Sequence, residues 1–163
     1  MLSRNPEDPA MPIERFYDDL VMDHIRNARN FRALPDAHRT TGANPLCGDE
    51  ITLYLRLERG RIDDIAFQCT CCGISMASAS IMTEAVRGLA AIDASALLRE
   101  FVARLDARAD PAASGVGDGE RALLATVQSF PARTRCAALP WTTLQSALNQ
   151  SGAAGAATPS FSG

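Results

Sequence analysis

Apolar and polar residues alternate strictly from Ile51 to Glu58. Ile51, Leu53, Leu55 and Leu57 fall on one side, and Thr52, Tyr54, Arg56 and Glu58 on the other. A period of two predicts a half-buried β-strand. Arg59-Gly60 supplies a turn, and residues 61–68 predict a returning strand. The apolar spacing slips between Ile62 and Ile65, which predicts a bulge there. Elsewhere the period is helical. Ile13, Phe16, Tyr17, Leu20, Val21, His24 and Ile25 make one stripe, predicting a helix from Ile13 to near Arg29. Residues 30–48 carry Pro35, Gly42, Pro45 and Gly48 and predict a loop. Residues 74–86 return to the helical period, with Gly88 as the stop. Leu97, Leu98, Phe101, Val102 and Leu105 mark the face of another helix, and residues 106–119 an exposed loop. Two short helices follow, over 120–129 and 137–150, with Cys136 between them.

This pattern divides the chain into a loose N-terminal arm over 1–12, one domain over 13–150, and a Gly/Ala/Ser-rich disordered tail over 151–163. The length of 163 residues suits one domain with a real core. Sixteen basic and 19 acidic residues leave a net charge of −3, which argues against a general nucleic-acid binder. No apolar run approaches membrane-spanning length, and the first residues lack the apolar stretch of a signal peptide. The expectation is a cytoplasmic protein with neither membrane nor nucleic acid as partner.

The cysteines change the picture most. There are five, and in a reducing compartment metal or catalytic roles outrank structural disulfides. Cys47 sits in Asn44-Pro45-Leu46-Cys47-Gly48-Asp49, Cys72 opens Cys72-Gly73-Ile74-Ser75, and Cys136 closes Phe130-Pro131-Ala132-Arg133-Thr134-Arg135-Cys136. Hairpin pairing of the two predicted strands brings Cys47 and Asp49 towards Cys69–Cys72. Three thiolates and the Asp49 carboxylate suffice for a four-coordinate metal site. A thiolate is also a nucleophile, so the same set can bind and pass on sulfur. Cys72 falls at a helix start, whose unpaired N–H groups favour negative charge. Cys69-x-x-Cys72 admits a different reading, a thiol oxidoreductase with a reversible Cys69–Cys72 disulfide. His38 reads as a solvated loop residue, His24 as a part-buried, hydrogen-bonded histidine, Ser75, Ser78 and Ser80 as packing and capping residues, and Trp141 as a core anchor. For Arg133 and Arg135, thiolate or partner contact and plain surface charge stand level.

Together, Asn44 to Asp49, Cys72 to Ser80 (Cys-x-Ile-Ser-x-Ala-Ser-x-Ser) and Cys136 to Trp141 (Cys-Ala-x-Leu-x-Trp) resemble the NifU/IscU-like iron–sulfur assembly superfamily, and most of all its SufU branch. Met22-Asp23-His24 and Asn27-Ala28-Arg29-Asn30 add to the likeness, which spans about Ile13 to Leu148. Arg135 stands where the IscU branch usually has histidine, and the long stretch from Gly88 to Phe130 is also SufU-like. The resemblance implies an α+β fold, a small antiparallel β-sheet packed against helices. It implies Cys47, Asp49, Cys72 and Cys136 as ligands of zinc, and Cys47 as acceptor of persulfide sulfur from a cysteine desulfurase, a sulfurtransferase role feeding downstream SUF assembly proteins. A scaffold holding a transient Fe–S cluster on the same ligands is the alternative, and the Cys-x-x-Cys oxidoreductase a third. Cys69 and Cys71 occupy positions where the family has glycine, which raises the question of how the turn forms; they read first as silent replacements, then as extra ligands or resolving thiols.

Overall fold

The structure is a computed structural model and describes residues 19–45, 48–107 and 117–151. The elements are α1 (Asp19–Arg26), β1 (His38–Asn44), β2 (Asp49–Glu58), β3 (Arg61–Thr70), α2 (Gly73–Val86), α3 (Ala91–Ala107), α4 (Asp118–Ser129), a 3₁₀ turn (Pro131–Arg133) and α5 (Thr134–Ser151). The arm, most of the tail and the first residues of the expected N-terminal helix lie outside the described residues. Of the tail, Ser151 ends α5.

The strands form one antiparallel sheet in the order β1-β2-β3. The alternation of β2 holds from Ile51 to Arg56, with Ile51, Leu53 and Leu55 buried and Thr52, Tyr54 and Arg56 less covered, but Leu57, next to the bulge, is only half-buried. Arg59 and Gly60 both have positive φ, 55° and 75°, the backbone a two-residue hairpin turn demands. Arg56 pairs with Asp64 but Leu57 with Ile62, so Asp63 is the extra residue of the expected bulge.

β1 corrects the expectation of a loop over 30–48. Its sequence, His-Arg-Thr-Thr-Gly-Ala-Asn, has no apolar period. Its strand form comes from pairing with β2, from His38 opposite Leu55 to Asn44 opposite Asp49, and from α5 packing across it. That packing is tight: a Cβ on Gly42 would lie 2.0 Å from Thr143 Oγ1 of α5. Only glycine lets the helix come so close.

The helices cover the apolar face of the sheet. α5 lies over β1 and β2, while α2 packs on both α1 and α5, and α3 on α5. Trp141 is fully buried; its indole N–H donates to Ser78 Oγ at 2.7 Å, and its ring lies 4.3 Å from that of Phe101. A buried indole with its N–H satisfied is a core anchor. Among the described residues no helix is long and apolar enough to cross a membrane.

Candidate metal centre

Three elements end at one place. Asp49 opens β2, Cys72 is the N-cap of α2, and Cys136 lies in the first turn of α5, not between two helices as its spacing had suggested. The β1–β2 connection is closed by the Gly48 N–H donating to Asn44 C=O at 2.8 Å. Gly48 has φ +74°, in the left-handed region where glycine carries no penalty, and this turn starts β2 at Asp49. Cys72 takes extended backbone at the mouth of α2, and its N–H donates to Asp49 Oδ1 at 3.0 Å. Across the sheet, Glu50 pairs with Thr70 as the last couple of β2 and β3. Asp49 is therefore brought beside the chain leaving β3.

Ser75 joins the three. Its hydroxyl lies 2.8 Å from Asp49 Oδ2 and 2.9 Å from the Cys136 carbonyl oxygen, its single proton shared between the two acceptors, and 3.7 Å from Cys72 Sγ, whose thiol can donate to it. The bond to Cys136 has a cause in the sequence. A helix carbonyl is normally satisfied by the N–H four residues on, and four residues after Cys136 stands Pro140, which has none. The Ser75 hydroxyl takes that place. Read from sequence, Ser75 was one of three packing serines; Pro140 inside a helical segment was the signal that the Cys136 carbonyl needs an outside donor. One residue on, Ser78 adds a second link from α2 to α5, donating to Ala137 C=O at 2.5 Å.

The ligand atoms of Asp49, Cys72 and Cys136 all lie within 4.8 Å of one another. Tetrahedral zinc with sulfur ligands at about 2.3 Å sets ligand atoms about 3.8 Å apart, within reach of small side-chain rotations here. Two sulfurs and one hard oxygen form a borderline-soft donor set that suits zinc or iron. Asp49 and Cys136 are buried, at 4% and 2% exposure, while Cys72 is half-buried. The group is thus shielded but reachable. The fourth expected ligand, Cys47, lies outside the described residues, two positions before Asp49.

The other candidates sort cleanly. His38 Nε2 meets Gln150 Oε1 at 3.0 Å on the exposed side of β1, outside this group. His24 is 3% exposed, with Nδ1 2.6 Å from Ser80 Oγ and Nε2 4.0 Å from Glu84. Burial holds its imidazole below the usual histidine range; nearby Arg29 adds to this, against Glu84 and Asp23. It is a structural histidine. Ser80 is fully buried and accepts the Arg29 N–H, so it is no exposed nucleophile. Arg133 and Arg135 are exposed.

Cys69 and Cys71 form a disulfide with Cα atoms 5.5 Å apart, and neither Cys72 nor Cys136 belongs to a disulfide. The Cys-x-x-Cys pairing of Cys69 with Cys72 is therefore not the one adopted. Residues two apart on a strand share a face, and the bend after Thr70 brings these two within bridging distance. Neither cysteine has positive φ, so the turn does not need glycine at these two positions.

An open cleft of about 750 Å³ is lined by residues of the β1–β2 connection, α3 and the start of α5, and by none of Asp49, Cys72 and Cys136. Asn44 and Pro45 of the β1–β2 connection form one wall, Arg135 and Leu139 of α5 another, with Val102 and Asp106 of α3 facing them.

Comparison with known proteins identifies the family. Residues 16–137 match the NifU-like N terminal domain family. An iron-sulfur cluster assembly scaffold protein IscU of Streptococcus pyogenes serotype M1 is 35% identical over 139 residues, 85% of this chain and 86% of that protein. A zinc-dependent sulfurtransferase SufU of Bacillus subtilis is 35% identical over 133 residues, 82% and 89% of the two chains. The crystal structure of a putative iron-sulfur cluster assembly scaffold protein for the SUF system from Fervidobacterium islandicum AW-1 superposes with a TM-score of 0.70 at 26% identity, over 84% of this chain and 99% of that one. The α+β fold, the converging Asp49, Cys72 and Cys136, and these matches together place the chain in the NifU-like N-terminal domain family.

Proposed function

We propose that this protein serves iron–sulfur cluster biogenesis as a zinc-dependent sulfur acceptor, working with a cysteine desulfurase in the cytoplasm. The observation that carries the reading is the convergence of Asp49, Cys72 and Cys136 within 4.8 Å at the ends of three elements. Cys47, two residues before Asp49, completes a ligand set of three sulfurs and one oxygen. Zinc, when bound, keeps the thiolates deprotonated without redox chemistry of its own.

The protein's own residues supply the rest. Asp49 is oriented by the Cys72 N–H and the Ser75 hydroxyl, so its carboxylate is fixed before any ligand arrives. Ser75 also stands between the Cys72 thiol and Asp49 and holds the two side chains in register. Cys47 lies in the connection whose flanking residues, Asn44 and Pro45, line the cleft. This makes the cleft the approach for a desulfurase loop bearing a persulfide, with Arg135 at its wall to meet the anionic sulfur. In the transfer, the Cys47 thiolate attacks the outer persulfide sulfur, a new S–S bond forms, and the desulfurase cysteine leaves as thiolate. Downstream SUF assembly proteins then receive the sulfur.

The second reading is a scaffold on which a transient cluster is assembled as cargo. It is favoured by relatives named IscU that match at the same identity as the SufU relative, and thiolates suit iron as well as zinc. Zinc, iron and acid-labile sulfide content of protein purified without oxygen separates the two. About one zinc per chain without sulfide, and loss of sulfur uptake from the desulfurase in Cys47→Ala, is the expected result. Iron with sulfide selects the scaffold. Full-rate uptake by Cys47→Ala removes Cys47 as acceptor.

A further inference from the structure

A sulfur acceptor has an electron problem. The outer sulfur of a persulfide is at the level of elemental sulfur, whereas the sulfide of a metal cluster is two electrons more reduced. Neither zinc nor a carboxylate can supply those electrons. The structure contains a second thiol centre that can. Cys69 and Cys71 are joined as a disulfide, so the pair is a two-electron couple captured in its oxidised form. Cys69 lies opposite Ile51 in the sheet, two residues along β2 from Asp49, and Cys71 directly precedes Cys72, whose N–H binds Asp49. Both are half-buried, within reach of a small dithiol.

We propose that the Cys69–Cys71 dithiol is a built-in reductant that converts sulfane sulfur held on a cysteine of the neighbouring metal-binding group into sulfide. This rests on the acceptor reading above. One thiolate of the pair attacks the outer persulfide sulfur. That S–S bond breaks, and the carrier cysteine leaves as thiolate. The partner thiolate then attacks the inner sulfur of the new persulfide, hydrosulfide leaves, and the Cys69–Cys71 disulfide forms. In sum, a persulfide and a dithiol give a thiol, a disulfide and hydrogen sulfide, with every atom and electron accounted for. Taking the outer sulfur avoids a disulfide between the adjacent Cys71 and Cys72. An external dithiol of the thioredoxin class returns the pair to its reduced form.

The test uses the full chain, reduced, freed of reductant under anaerobic conditions, and given one equivalent of L-cysteine with a catalytic amount of a cysteine desulfurase, which delivers sulfane sulfur and leaves alanine. Released sulfide is measured by colour reaction, and alkylation with peptide mass spectrometry locates disulfide and added sulfur. The expected result is about one sulfide released for each Cys69–Cys71 disulfide formed. In a C69S/C71S double variant of unchanged metal content, the added sulfur stays on the remaining cysteines and sulfide release falls at least about tenfold. Wild-type protein that keeps the added sulfur while Cys69 and Cys71 stay reduced overturns the inference alone. So does a double variant that releases sulfide as fast as wild type. A double variant that takes up no sulfur at all overturns the acceptor reading, and with it the link between the two thiol centres.

Discussion

The β2–β3 hairpin has an aspartate near each end, and the two live in opposite chemical worlds. Asp64, towards the turn, is ringed by arginines: Arg87 at 2.7 Å, Arg32 at 3.0 Å and Arg56 at 3.9 Å. Asp49, at the open end, is 4% exposed, and its carboxylate takes a backbone N–H and a hydroxyl while facing the sulfurs of Cys72 and Cys136. The guanidinium groups absorb the charge of Asp64 into a surface ion network. Asp49 is oriented by donors that leave it part of a shielded donor set. A carboxylate by itself says little; the softness and burial of its neighbours decide whether it holds structure or chemistry.

The largest way to break this contrast is to remove a sulfur. Cys72→Ala or Cys136→Ala is expected to take bound metal from about one per chain to background. Thermal stability falls with it, because metal binding is coupled to folding. Metal analysis after gel filtration, with a melting curve in the presence and absence of a chelator, reads both. Asp64→Asn is the matched control and keeps its metal. Full metal occupancy in both cysteine variants counts against the ligand assignment.

Packing is the next lever. Gly42→Ala drives a methyl group into Thr143, where both β1 and α5 are fixed by their neighbours. Overpacking of this kind costs about 2 kcal/mol, read as a lower urea midpoint at unchanged slope. The double change with Thr143→Ala, which removes the clashing hydroxyl, is expected to recover most of it.

Ser75→Ala is expected to be milder for the fold and more telling for the site. It leaves the Cys136 carbonyl, already denied its helical donor by Pro140, without the serine hydroxyl, and takes one donor from Asp49. Loss of a buried hydrogen bond costs about 1–3 kcal/mol. Loss of a group orienting a ligand weakens metal binding about 10–100-fold. Ser75→Thr keeps the hydroxyl and is expected to restore affinity; a competition titration with a chromophoric chelator measures both variants. Equal affinity of Ser75→Ala and wild type would leave the serine a purely structural role.

The two ends of the hairpin also differ in how readable they were. The turn end was legible because Arg59-Gly60 and the slipped spacing between Ile62 and Ile65 are local signals, and both became the expected turn and bulge. The helices from residue 73 onward were legible from their period, within a few residues at each boundary. β1 was not, since a polar edge strand carries no period and is specified by β2 on one side and α5 above it. At the site, the three motifs contain Asp49, Cys72 and Cys136, which the fold brings within 4.8 Å of one another. What sequence alone could not show was their joint dependence on Ser75, or that Cys69 bonds to Cys71 instead of Cys72. Both depend on how β3 bends into α2, a tertiary property.

The smallest expected effect belongs to Asp64, and it sharpens the contrast through pH. Desolvation raises the tendency of Asp64 to hold its proton, but the Ile65 N–H together with Arg32 and Arg87 outweighs it and lowers its pKa below the usual value of 3.8. In the folded protein the carboxylate therefore stays ionised to lower pH than in the unfolded chain. Its contribution is complete above the unfolded value of about 4 and is lost as pH falls through the folded value. Asp64→Asn is expected to show a constant stability deficit above about pH 5 that shrinks as acid is added. The deficit is also expected to narrow with salt, since all three arginines are partly exposed. Urea unfolding at a series of pH values reads the difference. A deficit that persists undiminished at the lowest pH at which the protein still folds would mean that Asp64 acts by packing and hydrogen-bond shape, not by charge.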